Sequence, residues 1–174
     1  KGGVKVRGLE IQPELVNSVR SRWRPEADAG TLDSVTYPPA SFDIVTIYWV
    51  IEHLIDVKPL LKKIHTILRP NGWIVAEVPL SDSFQSRILK NRWSQYCEAP
   101  RHIAIPSREG IHSTLTACGF TDVRIKPSTI MNCAGFVALS AIPQASATHA
   151  YNNVSIASHF PRFAAGFLTL LYLP

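Results

Sequence analysis

Glu10, the Glu52–His53 pair and the segment holding Trp93, Arg101 and His102 are the parts of this chain whose residue types and spacing suit chemistry. Glu10 closes a short β-forming run and is followed by the apolar Ile11. A carboxylate so placed can accept two hydrogen bonds from a ribose diol; the plainer reading is a solvated glutamate at a strand end. Glu52 and His53 come directly after a β-branched and aromatic run and before a helix, so an acid and a base meet at the mouth of a sheet. Histidine there can remove a proton or orient a nucleophile near neutral pH. Asp56 follows one turn later, and carboxylates with an imidazole have the chemistry of a metal site. The structural alternatives are that Glu52 and Asp56 complement a helix start and that His53 is a satisfied structural histidine. Trp93, Arg101 and His102 mix aromatic and basic groups in a polar segment that reads either as a lid over a site or as a solvated basic loop.

Positioning these groups requires a sheet. Val4, Val6 and Leu9 predict a strand, and Leu15, Val16, Val19 and Trp23 recur at helical spacing after Pro13. Residues 24–41 are rich in Pro, Gly, Asp and Ser and read mostly as loop. Phe42–Val50 reads as a strand buried on both faces. Val57, Leu60, Leu61, Ile64 and Leu68 then mark one face of a helix, stopped at Pro70-Asn71-Gly72. Trp73–Val78 predicts another strand, Ser107 a cap on a helix over 108–118 with Gly119 at its stop, and Thr121–Lys126 a strand of period two. An apolar helix is expected from about Phe160. Alternating strands and helices imply βαβ crossovers: an α/β, Rossmann-like, mainly parallel sheet with helices on both faces. Ligands bind such sheets at the carboxyl ends of the strands, which directs attention to Glu10, Ile11, Tyr48–His53 and Pro79–Ser83.

Composition agrees with one globular domain: 174 residues, 46% hydrophobic and 18% charged, leave enough apolar side chain for a core and argue against disorder. Three cysteines, Cys97, Cys118 and Cys133, without a C-x-x-C pair favour neither a disulfide framework nor a zinc ribbon. A net charge of +5 is modest, and the basic run from Arg87 to Arg108 lacks the aromatic interleaving of a nucleic-acid module, so no nucleic-acid partner is expected. From Pro127 to Pro174 the sole formal charge is Arg162, which divides the chain into residues 1–126 and an apolar extension, 127–174. The N-terminus lacks the apolar stretch of a secretory signal, so a cytoplasmic location is the default. A start at Lys1 and an apolar end suggest an interior piece of a longer polypeptide.

With those motifs in place, GTLDSVTYPPASFDIVTIYWVIEHLIDVKPLLKKIHTILRPNGWIVAEVP (Gly30–Pro79) closely resembles the second half of class I S-adenosylmethionine-dependent methyltransferases. There a strand reading FD(I/V)V is followed by VxEHL, a helix, LRPGG and a strand ending in Pro. RWSQYCEAPRHIAIPSREGIHSTLTACGF (Arg92–Phe120) is similar to the W...PRH...S...L...GF stretch of one bacterial branch. With VRGLEIQPELV, the resemblance covers about residues 1–126.

It implies that Glu10 holds the ribose hydroxyls of S-adenosylmethionine, that Ile11 packs on the adenine, and that Thr31 and Leu32 line the other side of the base. Tyr48 and Trp49 would neighbour the methionine portion, and His53 would deprotonate a small-molecule acceptor whose pocket includes Trp93, Arg101 and His102. Some members with EHL carry a further Glu three residues before the Glu-His pair and are metal-assisted; Trp49 stands there, so the resemblance implies no metal. It also implies a strand and glycine-rich loop (GxGxG) N-terminal to Val4 and a last strand after the apolar tail, neither of which this sequence contains. The absent first strand would lie between the Val4 and Phe42 strands, leaving a gap there, and the 174 residues alone are expected to be inactive. The competing expectation is a non-catalytic scaffold acting as an interaction module or, through the tail, at a membrane surface; a nicotinamide dehydrogenase is less well supported.

Overall fold

A computed structural model describes residues 3–23, 26–127 and 167–172. The strands are β1 (Lys5–Glu10), β2 (Glu26–Ala29), β3 (Phe42–Tyr48), β4 (Leu68–Glu77) and β5 (Phe167–Tyr172). The helices are α1 (Pro13–Trp23), α2 (Lys58–Ile67), α3 (Phe84–Leu89), α4 (Ser94–Cys97) and α5 (Arg108–Ala117), with 3-10 turns at Ile51–His53 and Lys90–Arg92.

The sheet order is β2-β1-β5-β3-β4. β1 pairs with β2 and β3 with β4 in parallel, whereas β5 is antiparallel to both β1 and β3. Strands β1 to β4 therefore all run one way, and Glu10, Ala29, Tyr48 and Glu77 end on a common edge. Consecutive burial of Val45, Thr46 and Ile47 in β3 fits a strand covered on both faces. From α2, Leu61, Ile64 and Ile67 enter the same core at helical spacing, joined by Ile111 and Leu115 of α5. The α5 cap is as expected: the Ser107 hydroxyl accepts from the Gly110 N–H at 3.0 Å, and Gly119 has φ +98° just beyond the helix.

The sequence-based expectations need correction at several elements. Glu26–Ala29 is a strand rather than loop, because β1 supplies a ladder and Arg7 clasps Asp28 at 2.7 Å while the Tyr37 hydroxyl donates to it at 2.8 Å. Tertiary pairing overrides the weak β-propensity of EADA. The 42–50 strand stops at Tyr48, since Trp49 has φ +57°. The helix before Pro70 ends at Ile67 and Leu68 already begins β4; at Gly72 a Cβ would meet the Arg69 carbonyl oxygen at 2.9 Å and the Asp43 carbonyl oxygen at 3.0 Å. Thr121–Lys126 is not a strand: Asp122 has φ +51°, which breaks the extended run.

The expected C-terminal helix is also revised, because Phe167–Tyr172 forms β5; residues 160–166 and 173–174 lie outside the described part. β5 fills the position between the Val4 and Phe42 strands where a gap was expected. Leu168 pairs with Leu9 on one side and Ile47 on the other, and Thr169 with Gly8 and Thr46. Two flanking strands with unpaired N–H and C=O groups favour a strand over a helix in this slot. A segment laddered on both edges is not free to lie on a membrane surface, and among the described residues no helix is long and apolar enough to cross one.

Candidate active site

At the end of β1, Glu10 is 3% exposed. Its Oε1 accepts from the Gln12 N–H at 3.0 Å, and its backbone carbonyl accepts from the Gly30 N–H at 2.9 Å, tying the β1 and β2 exits together. Its Oε2 is buried with no hydrogen-bond partner among the described residues. Such an oxygen is costly unless a donor reaches it, and a ligand hydroxyl would be one. Ile11 beside it is 67% exposed, free to cover an apolar ring. Thr31 opens a tight turn with Ser34, donating its N–H to the Ser34 hydroxyl at 2.9 Å. Leu32 packs into the core instead of facing the edge. At the β3 exit, Tyr48 is partly exposed and the Trp49 N–H donates to the Glu77 carbonyl at 3.2 Å. The sheet thus brings Glu10, Ile11, Thr31, Tyr48 and Trp49 to one edge, with Leu32 behind them.

The 3-10 turn after β3 carries Glu52 inward and His53 to a half-buried position. The Glu52 carbonyl accepts from the N–H groups of Ile103 (2.8 Å) and Ala104 (3.2 Å), so the distant 98–106 segment is clamped onto this turn. His53 and His102 consequently face one another, ring centroids 4.9 Å apart. His53 Nδ1 lies 2.8 Å from the Arg101 carbonyl, and His102 Nδ1 lies 2.8 Å from the Gln95 carbonyl. A carbonyl oxygen only accepts, so both Nδ1 atoms carry the proton. In the neutral rings Nε2 is then the basic nitrogen. His102 Nε2 is 3.6 Å from a Glu98 carboxylate oxygen.

Glu52 is 0% exposed, and neither carboxylate oxygen has a hydrogen-bond partner among the described residues. Burial pushes its pKa up to about 7; its own backbone N–H and the Arg101 charge pull the other way, and the Glu77 charge adds to the rise. Burial pushes His102 down to about 4, opposed by its bond to the Gln95 carbonyl.

Asp56 stands apart: it is exposed and accepts from the Lys58 N–H at 3.0 Å, the helix-start role. Arg101 is exposed and ion-paired with Glu98. Trp93 is 2% exposed, donates Nε1–H to Gln85 at 3.2 Å and packs edge-on against Tyr96, so its place is inside the 84–97 segment rather than at an open surface. Gln95 and Glu98 were not singled out from sequence, yet the first orients His102 through its carbonyl and the second faces His102 Nε2. The one sequence signal was their nearness to the PRH triplet.

A sheet with four of its five strands running one way and helices packed against it is a Rossmann-like α/β fold. The chain belongs to the methyltransferase domain family, whose pattern matches residues 2–125. A protein of Mycolicibacterium smegmatis named a probable S-adenosylmethionine-dependent methyltransferase is 34% identical over 76 residues, covering 43% of this chain and 30% of the relative. A ubiquinone/menaquinone biosynthesis C-methyltransferase of Citrifermentans bemidjiense is 26% identical over 145 residues, covering 70% of this chain and 62% of the relative. The chain therefore spans less than two thirds of either curated relative. The crystal structure of the YcgJ protein from Bacillus subtilis superposes with a TM-score of 0.58 at 17% identity, covering 95% of this chain and 79% of that one, which shows likeness of fold alone.

Proposed function

We propose that this chain is the core of an S-adenosylmethionine-dependent methyltransferase acting on a small-molecule acceptor. The observation that carries the reading is the buried, unpartnered Oε2 of Glu10 at the carboxyl edge of a sheet in a chain of this family. That oxygen suits a ribose hydroxyl, and the exposed Ile11 beside it suits the adenine, with Thr31 across the edge and Leu32 supporting from the core. Tyr48 and Trp49 flank the methionine end. When bound, the cofactor supplies a methyl group already activated on a sulfonium, so the protein contributes mainly proximity and orientation. His53 presents Nε2 and takes the acceptor's proton, held in that tautomer by the Arg101 carbonyl. Arg101 and His102, from the clamped segment, border the acceptor, and Trp93 stiffens that segment from within.

The glycine-rich turn that would cradle the methionine end is absent from these 174 residues. Calorimetry with S-adenosylhomocysteine tests the reading on two samples, the product of the complete reading frame and the 174-residue chain. Binding is expected from the first and at least a hundredfold weaker binding from the second. No binding by the first sinks the methyltransferase reading in favour of a non-catalytic scaffold.

A further inference from the structure

We propose that Glu52, His53 and His102 bind one divalent transition-metal cation, with zinc the ion whose ligand preferences they match best. Each offers one ligand atom, and these atoms all lie within 4.8 Å of one another. Both imidazoles hold the tautomer that suits a ligand. Each gives its Nδ1–H to a backbone carbonyl, from Arg101 and Gln95 at 2.8 Å, the outer-shell bond that fixes a metal-binding histidine and leaves the Nε2 lone pair free.

The carboxylate supplies the independent observation. Glu52 is fully buried, and apart from the pull of its own backbone N–H neither carboxylate oxygen has a hydrogen-bond partner among the described residues. Dry, unpaired carboxylates are expensive. A cation held between the imidazoles and this carboxylate removes that cost. Asp56 contributes nothing, being turned to the Lys58 N–H. Trp49 offers no ligand, so the expectation of no metal rested on one position, whereas the structure draws its third donor from the distant His102.

Two imidazoles and one carboxylate leave coordination positions open. The cation would occupy the His53 Nε2 lone pair that the methyl-transfer reading uses for a proton. A metal there would lower the pKa of an acceptor hydroxyl or water at an open position, whose proton would then pass to bulk solvent instead of to His53. The inference itself stands on the donor set and does not require the methyltransferase reading.

The test is equilibrium dialysis of the purified protein, stripped with chelator, against micromolar Zn2+ at neutral pH, with metal content measured by mass spectrometry. One zinc per chain is expected. Glu52→Gln and His102→Gln should each weaken uptake by about a hundredfold or more, while Asp56→Asn leaves it unchanged. Uptake that is absent, or equal in both ligand variants and wild type, overturns the proposal. Should either variant fail to fold, 15N imidazole spectra of the wild type decide. Zn2+ must move the Nε2 resonances of His53 and His102; movement of other histidines only, or of none, counts against the site. Since every readout is metal binding, failure here is distinguishable from failure to bind S-adenosylhomocysteine.

Discussion

His102 lies against His53 with ring centroids 4.9 Å apart, and the contact unites two motifs from opposite parts of the chain. The union is made by backbone rather than by the rings. Ile103 and Ala104 donate to the Glu52 carbonyl, and the Arg101 carbonyl receives His53. The basic segment is thereby held over the exit of β3, where the parallel sheet places its ligand edge.

Glu10 anchors the first prediction. Glu10→Ala in the full-length protein should weaken S-adenosylhomocysteine binding by about 2 to 4 kcal/mol, the loss of charge-assisted hydrogen bonds to a diol. Isothermal calorimetry measures it directly. Unchanged affinity would remove Glu10 from the cofactor site.

His53→Ala should lower turnover by roughly a hundredfold or more while S-adenosylhomocysteine affinity stays within about twofold, as expected when proton handling alone is lost. Turnover measured at saturating cofactor separates the two effects. Retained turnover would make His53 structural.

Asp28 should make part of the stability sensitive to acid. Its hydrogen bond from Arg7, then that from the Tyr37 hydroxyl, hold its pKa below the usual carboxylate value despite the opposing effect of burial. Because the folded pKa is depressed, this contribution is complete above the unfolded value and is lost as pH falls through the folded one. Asp28→Asn should cost about 1 kcal/mol at neutral pH. The variant's urea midpoint should then fall less than that of wild type as the pH drops below the ordinary carboxylate value; parallel curves would contradict the assignment.

β5 yields the last prediction. Thr169 pairs with Gly8 on one side and Thr46 on the other, so its N–H belongs to a central ladder. Thr169→Pro deletes that donor and should destabilise the fold by about 3 kcal/mol or more. Chemical denaturation of wild type and variant measures the difference; equal midpoints would show that Phe167–Tyr172 does not hold the centre of the sheet.

Local pattern in the sequence was enough for α2, β3 and α5, whose apolar spacing, Ser107 cap and Gly119 stop depend on neighbours a few residues away. It was also enough to place Glu10 and Glu52–His53 at strand ends, the candidate ligand positions of a parallel sheet. Tertiary structure alone decided β2, where EADA becomes a strand because β1 and Arg7 hold it, and Phe167–Tyr172, which takes strand form between two ladders. It alone denied strand form to Thr121–Lys126 and brought Gln95, Glu98 and His102 to His53. The reason is common to all of these. Periodicity records which face a segment buries, but the partner of a backbone N–H, or of an imidazole nitrogen, is chosen by whatever the fold carries to it from far along the chain.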